Sequence, residues 1–176
     1  SLLESGICYV PTLTREVSTY IYGTRPGFFD DEFFTEYAKE SEIERLSEPA
    51  YMERTLASAS GAAYRVALVQ AMENMVILQD AGAPVTFGTD AGPAGRFPGY
   101  FEHMELALMV GGGLTPTQAL LAATSVAASC LGIDDIGTLE PGKWADFIVL
   151  DEDPTRDITY TQLIDQVYVA GQPVRT

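Results

Sequence analysis

Residues 62–82 are followed, after Ala83 alone, by Pro84 and the stretch VTFGTDAG, residues 85–92, and this junction constrains the fold more than any other feature. Tyr64, Leu68, Ala71, Met72, Met75 and Leu78 recur at three- and four-residue steps, which stacks them on one face of a helix over 62–82. Gly82 fits the left-handed position that closes a helix without a Cβ penalty. Pro84 then opens an apolar strand, Val85 to Gly88. A helix, a short connection and a buried strand make an αβ unit, which needs a layered α/β architecture to cover both faces of the strand.

The remaining chain supplies further units of the same kind and then changes character. Residues 1–12, SLLESGICYVPT, read as the tail of a helix stopped by Gly6, then a strand Ile7–Val10 closed by Pro11. A domain opening on the last turn of a helix suggests descent or excision from something longer. Residues 23–61 mix aromatics with acids, and are expected to form a loop with short helices near 31–46 and 49–58, either a functional segment or a solvated acidic insertion. A helix over 100–110 places Phe101, Met104, Leu108 and Met109 at helical spacing and stops at Gly111-Gly112-Gly113. No strand precedes that glycine triplet and no Gly-Lys-Ser/Thr follows, so it is a helix stop and not a phosphate cradle. Thr115 and Gln118 form a Thr-x-x-Gln capping box with Pro116 at the first helical position, opening a helix that runs to Gly132.

After residue 133 the period switches from helical to alternating. Gly137–Leu139 and Ala145–Leu150 read as strands joined through Pro141-Gly142, and Ile164–Ala170 with Pro173-Val174 as a second hairpin through Gly171-Gln172. The composition boundary gives two regions, 1–132 and 133–176. DEDPTRD, residues 151–157, lacks the glycine and the terminal glutamate of a calcium loop and reads as a polar turn.

Composition excludes several roles. A formal net charge of −15 argues against a nucleic-acid surface, which needs clustered Lys and Arg. No apolar run approaches the roughly 18 residues that cross a bilayer. Cys8 and Cys130 sit far apart among apolar neighbours and are expected as two buried thiols. The compartment is not encoded in any visible signal, with the cytoplasm weakly favoured.

His103 is the single histidine, and no His-x-His, HExxH or Cys-x-x-Cys occurs, so the chain carries no self-contained imidazole metal site. No Gly-x-Ser-x-Gly elbow supports a serine nucleophile. Asp90 remains: a carboxylate at the exit of a strand, flanked by Gly88, Thr89, Ala91 and Gly92. Such positions carry reacting groups in α/β barrels, and on composition alone Asp90 serves equally as a turn or cap residue.

VTFGTDAG, then HMELALMVGGGLTPTQALLAATSVAASCLG, then IGTLEPGKWADFIVLDEDP, resembles the C-terminal part of the metal-dependent amidohydrolase superfamily, in its imidazolonepropionase- and Xaa-Pro-dipeptidase-like branch. The resemblance implies the last βα units of a (β/α)8 metallo-hydrolase barrel in 1–132 and, in 133–176, C-terminal antiparallel strands of a small β-sandwich. It implies hydrolysis of an amide, dipeptide or cyclic C–N bond by metal-activated water, with one or two divalent ions, zinc by preference, as cofactor. Asp90 matches the aspartate at the end of the eighth barrel strand, implying a metal ligand and proton carrier. His103 matches none of the ligand histidines and is a candidate for facing the substrate, or else a helix-cap or surface residue. The strands that carry the histidine ligands have no counterpart in 1–176, so the isolated chain is expected to be inactive and without tightly bound metal. Its expected partners are a small amide or peptide substrate, an N-terminal barrel portion in cis or in trans, or a second copy of itself. The rival expectation is a non-catalytic interaction or binding module.

Overall fold

A computed structural model describes residues 6–174, so the helix tail expected before Gly6 lies outside the described residues. Eight α-helices are present among them: α1 (Leu13–Ser18), α2 (Glu32–Thr35), α3 (Glu40–Ser47), α4 (Pro49–Leu56), α5 (Ala59–Asp80), α6 (Tyr100–Gly111), α7 (Pro116–Ala123) and α8 (Ser125–Leu131). Short 3-10 turns occupy Ile21–Gly23, Gly27–Asp30 and Ile158–Gln162. Strands β1 (Phe147–Leu150), β2 (Ile164–Val169) and β3 (Gln172–Val174) form one antiparallel sheet in that order. The result is a mixed α/β chain with a small C-terminal sheet.

The two segments expected as neighbouring buried strands do meet in parallel, but only through one bridge, Tyr9 with Val85. Tyr9 N donates to Pro84 O at 2.9 Å and Thr86 N donates to Tyr9 O at 2.8 Å. Gly88 permits this approach, since a Cβ there would lie 2.8 Å from Val10 Cγ1. Flanking strands that would extend the ladder are absent among the described residues, and a two-strand parallel pair is weak without them.

The capping box at Thr115 forms as expected, with Gln118 N donating to Thr115 Oγ1 at 3.2 Å and Thr115 N to Gln118 Oε1 at 2.8 Å. The helix it opens does not run unbroken to Gly132. Thr124 departs from helical geometry (φ −124°, ψ −95°) and splits it into α7 and α8. Gly82 and Gly132 both take the left-handed conformation that closes their helices. The hairpin of β2 and β3 forms, while 137–139 forms no strand and β1 pairs with β2 instead.

Two cores hold the described residues together. Leu13, Met75, Val85, Leu106, Met109, Leu114, Ala119 and Ala122 form the first, joined by Ile158 from beyond residue 133. Tyr22, Phe29, Phe34 and Leu46 form the second, with Phe28, Phe97 and Tyr100 packed against them. Residues 23–61 are therefore not merely an acidic insertion. Their charges face water while their rings stack, Phe29 on Phe34 at 5.5 Å and Phe28 on Tyr100 at 5.0 Å between centroids.

The expected pair of buried thiols is corrected: Cys8 and Cys130 are joined in a disulfide, with Cα atoms 6.0 Å apart across 122 residues of sequence. The fold brings the segment before Tyr9 against α8, a proximity that local composition does not encode.

Candidate active site

Asp90 ends the segment that begins at the Tyr9–Val85 bridge, and Thr86, Thr89, Ala91 and Gly92 around it are each hydrogen-bonded. Thr86 Oγ1 donates to Ala122 O at 3.2 Å, fixing the segment to α7. Thr89 is buried, and its hydroxyl donates to Glu102 Oε1 at 2.9 Å while accepting from Ala91 N at 3.1 Å. The other oxygen of Glu102 accepts from Gly99 N at 2.6 Å, which caps α6 from its third position. Between these anchors Asp90 adopts φ +53°, in the left-handed region that Asp tolerates better than most residues. That turn sends its carboxylate outward, about half exposed at 53%.

Arg96 is the partner of that carboxylate. Its Nη1 contacts Asp90 Oδ2 and donates to Asp90 O at 3.0 Å. The loop between them closes on itself through Gly92 N to Arg96 O (3.0 Å) and Arg96 N to Pro93 O (2.9 Å).

Behind Asp90 lies a second carboxylate that is fully buried. Glu105 on α6 accepts from Leu13 N and Thr14 N, both at 2.7 Å, and from Thr14 Oγ1 at 2.8 Å. Thr14 Oγ1 also reaches Thr89 O at 3.2 Å. Glu105 thus caps α1 from another helix, replacing the cap that Thr12, at φ +47°, does not supply. Burial pushes its carboxyl above the usual range, against the pull of the three donors.

His103 lies one turn along α6 and points elsewhere. Its Nδ1 is 2.9 Å from Thr161 Oγ1, and Phe33 meets its ring edge-on at 5.1 Å. The Thr161 hydroxyl already donates to Ile158 O at 2.9 Å, so Nδ1–H is the donor to Thr161. Burial pushes the imidazole below its ordinary value, opposed by Glu102. The ring joins α6 to the 158–162 turn, and Asp90 and His103 share no contact.

A divalent metal needs roughly four donors. Among the described residues no group of three or more His, Cys, Asp or Glu side chains could hold one. Asp90 is already engaged by Arg96 and His103 by Thr161. These residues do not fit a metal centre by themselves.

An open cleft of about 750 Å³ has Arg96, the partner of Asp90, in its wall. The loop 92–100 forms one side, and α2, the connection after it and the start of α3 form the other, through Phe33, Phe34, Tyr37 and Lys39. Tyr100 also lines it, its hydroxyl pushed up to about 12 by burial and by Asp31.

Sequence reasoning singled out Asp90 but missed Glu102, Glu105, Thr14 and Arg96. Glu102 stands three residues after Gly99, the spacing of a cap. Glu105 interrupts the apolar line Phe101–Met109 at four-residue steps, and an acid in such a line signals a buried partner.

The sequence model described as Amidohydrolase family matches residues 28–174. An imidazolonepropionase from Deinococcus deserti is 48% identical over 85 residues, which is 48% of this chain and 21% of that protein. The crystal structure of a Xaa-Pro dipeptidase with bound methionine in the active site aligns over 99% of this chain and 36% of its own, at TM-score 0.62 and 27% identity. A putative prolidase from Bifidobacterium longum aligns over 96% of this chain and 35% of its own, at TM-score 0.59 and 28% identity. The chain spans about a fifth of that imidazolonepropionase and about a third of each solved structure.

Proposed function

Because the chain belongs to the amidohydrolase family, we propose that it contributes the proton-handling carboxylate, Asp90, to a hydrolase of amide, dipeptide or cyclic C–N bonds. The single observation that supports this most is the setting of Asp90: half exposed, in a left-handed turn that ends the segment bridged to Tyr9, with buried Thr89 bonded to Glu102 behind it. In this reading 1–132 forms the last βα units of a (β/α)8 barrel and 133–176 the C-terminal strands of a composite β-sandwich. The names of its relatives, an imidazolonepropionase and a Xaa-Pro dipeptidase, favour a small amide or peptide substrate.

Asp90 accepts a proton from the water that adds to the carbonyl carbon. It then returns that proton to the nitrogen, and the protonated amine leaves as the C–N bond breaks. Arg96 holds the carboxylate in place through its contacts with the side chain and the carbonyl of Asp90. The family implies a divalent metal as well, zinc by preference, whose remaining donors would come from barrel strands in cis or in trans.

The test combines metal content with turnover. The purified chain, equilibrated with zinc or manganese, is expected to hold far less than stoichiometric metal and to hydrolyse no dipeptide or cyclic amide. Co-expression with the preceding barrel portion of the Deinococcus deserti relative is expected to restore hydrolysis that Asp90→Asn abolishes. Stoichiometric metal with turnover by the chain alone would overturn the shared-site reading. Restored turnover indifferent to Asp90→Asn would overturn the role of Asp90.

A second reading, an interaction module, has its own support. Ile148, Val167, Val169 and Val174 share one face of the sheet by register, and three of them are largely exposed. Val66, Val69 and Ile77 are likewise exposed on α5. Apolar faces of this kind suit an N-terminal half or a second copy.

A further inference from the structure

We propose that the cleft between loop 92–100 and α2–α3 is a subsite for an aromatic carboxylate: a ring seated against Phe33, Phe97 and Tyr100, with its acid group at Lys39. This deepens the hydrolase reading and rests on it only in naming the occupant as part of the substrate, such as an aromatic N-acyl amino acid or dipeptide.

Three observations carry it. The first is size and lining. The cleft measures about 750 Å³, within the span of small-molecule sites, and its floor is the fully packed ring of Phe34. Phe34 meets Phe97 edge-on at 4.8 Å and Tyr100 at 5.1 Å. A ring entering the cleft continues this herringbone and displaces water from apolar surface.

The second is rigidity. Gly95, at the centre of the loop wall, is clamped from both sides of its peptide. Its N–H donates to Glu42 Oε1 at 2.9 Å and its carbonyl accepts from Tyr22 Oη. Glu42 is held in turn by the fork of Arg45, at 2.9 Å from Nε and 2.6 Å from Nη2. A wall fixed before binding does not charge its ordering to the ligand.

The third is charge. Of the acids tied to the cleft wall, Glu42 and Asp90 are paired with Arg45 and Arg96, Glu102 accepts from Gly99 N, and Asp31 accepts from the Tyr100 hydroxyl. Lys39 lines the cleft and makes no ion pair among the described residues, acting on Glu42 only at longer range. Among the described residues the cleft therefore offers one cation without an ion pair, beside a wall of rings. Arg96 lines the same cleft while contacting Asp90, so this one side chain links the cleft to the proposed reacting carboxylate.

The experiment titrates the ¹⁵N-labelled chain with 3-phenylpropionate, and separately with butyrate and benzyl alcohol, following amide shifts. Gly92, Gly95 and Gly99 report on the loop wall, and Ser41 on the opposite wall. We expect 3-phenylpropionate to shift these four amides with a Kd near roughly 1 mM, as suits so small a ligand. Butyrate and benzyl alcohol, each lacking one feature, should bind at least several-fold more weakly. Lys39→Met should weaken 3-phenylpropionate several-fold and leave benzyl alcohol unchanged, while Ala94→Trp and Ser41→Trp, filling the cleft from either side, should abolish the shifts. The titration reads binding without turnover, so its outcome stands apart from the role proposed for Asp90 in hydrolysis. Shifts that map to the sheet face, persist in both Trp variants, or are matched by butyrate would overturn it.

Discussion

Glu105→Gln is the sharpest probe of what holds the Asp90 turn. In the native chain both carboxylate oxygens accept short hydrogen bonds, Oε1 from Leu13 N and Oε2 from Thr14 N, each at 2.7 Å. The amide keeps the shape but has one acceptor, so one of those N–H groups must face an NH₂. Leaving a buried backbone donor unpaired costs about 1–3 kcal/mol. We therefore expect a loss of about 2 kcal/mol, which for a domain of this size lowers Tm by about 4–8 °C. Urea unfolding followed by circular dichroism measures the loss, and hydrogen exchange at Leu13 and Thr14 localises it. The pH dependence adds a second signature. Burial raises the Glu105 carboxyl above its ordinary 4.5. A raised acid contributes stability that is complete below 4.5 and is lost as pH rises through the higher folded value. When protonated, Oε2–H can donate to Thr14 Oγ1, whose own hydrogen then goes to Thr89 O, so the network accepts both states. Glutamine has no such titration, so the gap between native and variant should narrow as pH is raised from 4.5. A variant within about 0.5 kcal/mol of native, with unchanged exchange at Leu13 and Thr14, would refute the capping argument.

Three further outcomes follow from other contacts. Reducing the Cys8–Cys130 disulfide, which closes 122 residues of separation, should cost about 4–5 kcal/mol by loop entropy, read as a fall in Tm with dithiothreitol; two free thiols in the unreduced chain would refute the linkage. Burial lowers the His103 imidazole below 6.5, so its contribution is complete above 6.5 and lost as pH falls through the lower folded value; His103→Gln should flatten that acid-side decline in Tm, and an unchanged profile would refute it. Ile148→Lys with Val169→Lys, two exposed residues on one face of the sheet, should convert self-associating chain to monomer in size-exclusion chromatography; equal elution volumes would count against that face as an interface.

What the sequence disclosed divides cleanly by range. Gly82, Gly132, the Thr115–Gln118 box and the β2–β3 hairpin depend on residues within a few positions of one another, and each formed where local pattern placed it. The position of Asp90 was legible for the same reason, since Gly88 and Gly92 bracket it locally. Its surroundings were not. Glu105 caps a helix about ninety residues away, and α1 itself gave no local signal because its cap residue, Thr12, sits in a left-handed conformation and makes no side-chain bond. The disulfide failed to register for a similar reason: nothing near Cys8 refers to α8. Residues 23–61 looked like solvated acid because their charge is sequential, whereas their packing is with Phe97 and Tyr100, which lie beyond α5.

These long-range ties share one destination, and that bears on function. Thr14 reaches Thr89 from α1, Ala122 holds Thr86 from α7, Glu102 holds Thr89 from α6, and Glu42 with Tyr22 holds Gly95 from the aromatic core. Both cores therefore converge on residues 86–95, on either side of Asp90. A chain that needed only to fold would gain little by fixing an exposed left-handed carboxylate from four directions, since a glycine there would relieve the backbone at once. Asp90→Gly thus distinguishes the two readings of that residue. If Asp90 is retained for chemistry, the glycine variant should match or exceed native Tm while losing the ion pair with Arg96 and keeping the bond from Arg96 to the residue-90 carbonyl. A marked fall in Tm would instead make Asp90 a structural residue, and the case for its role in catalysis would lose its main support.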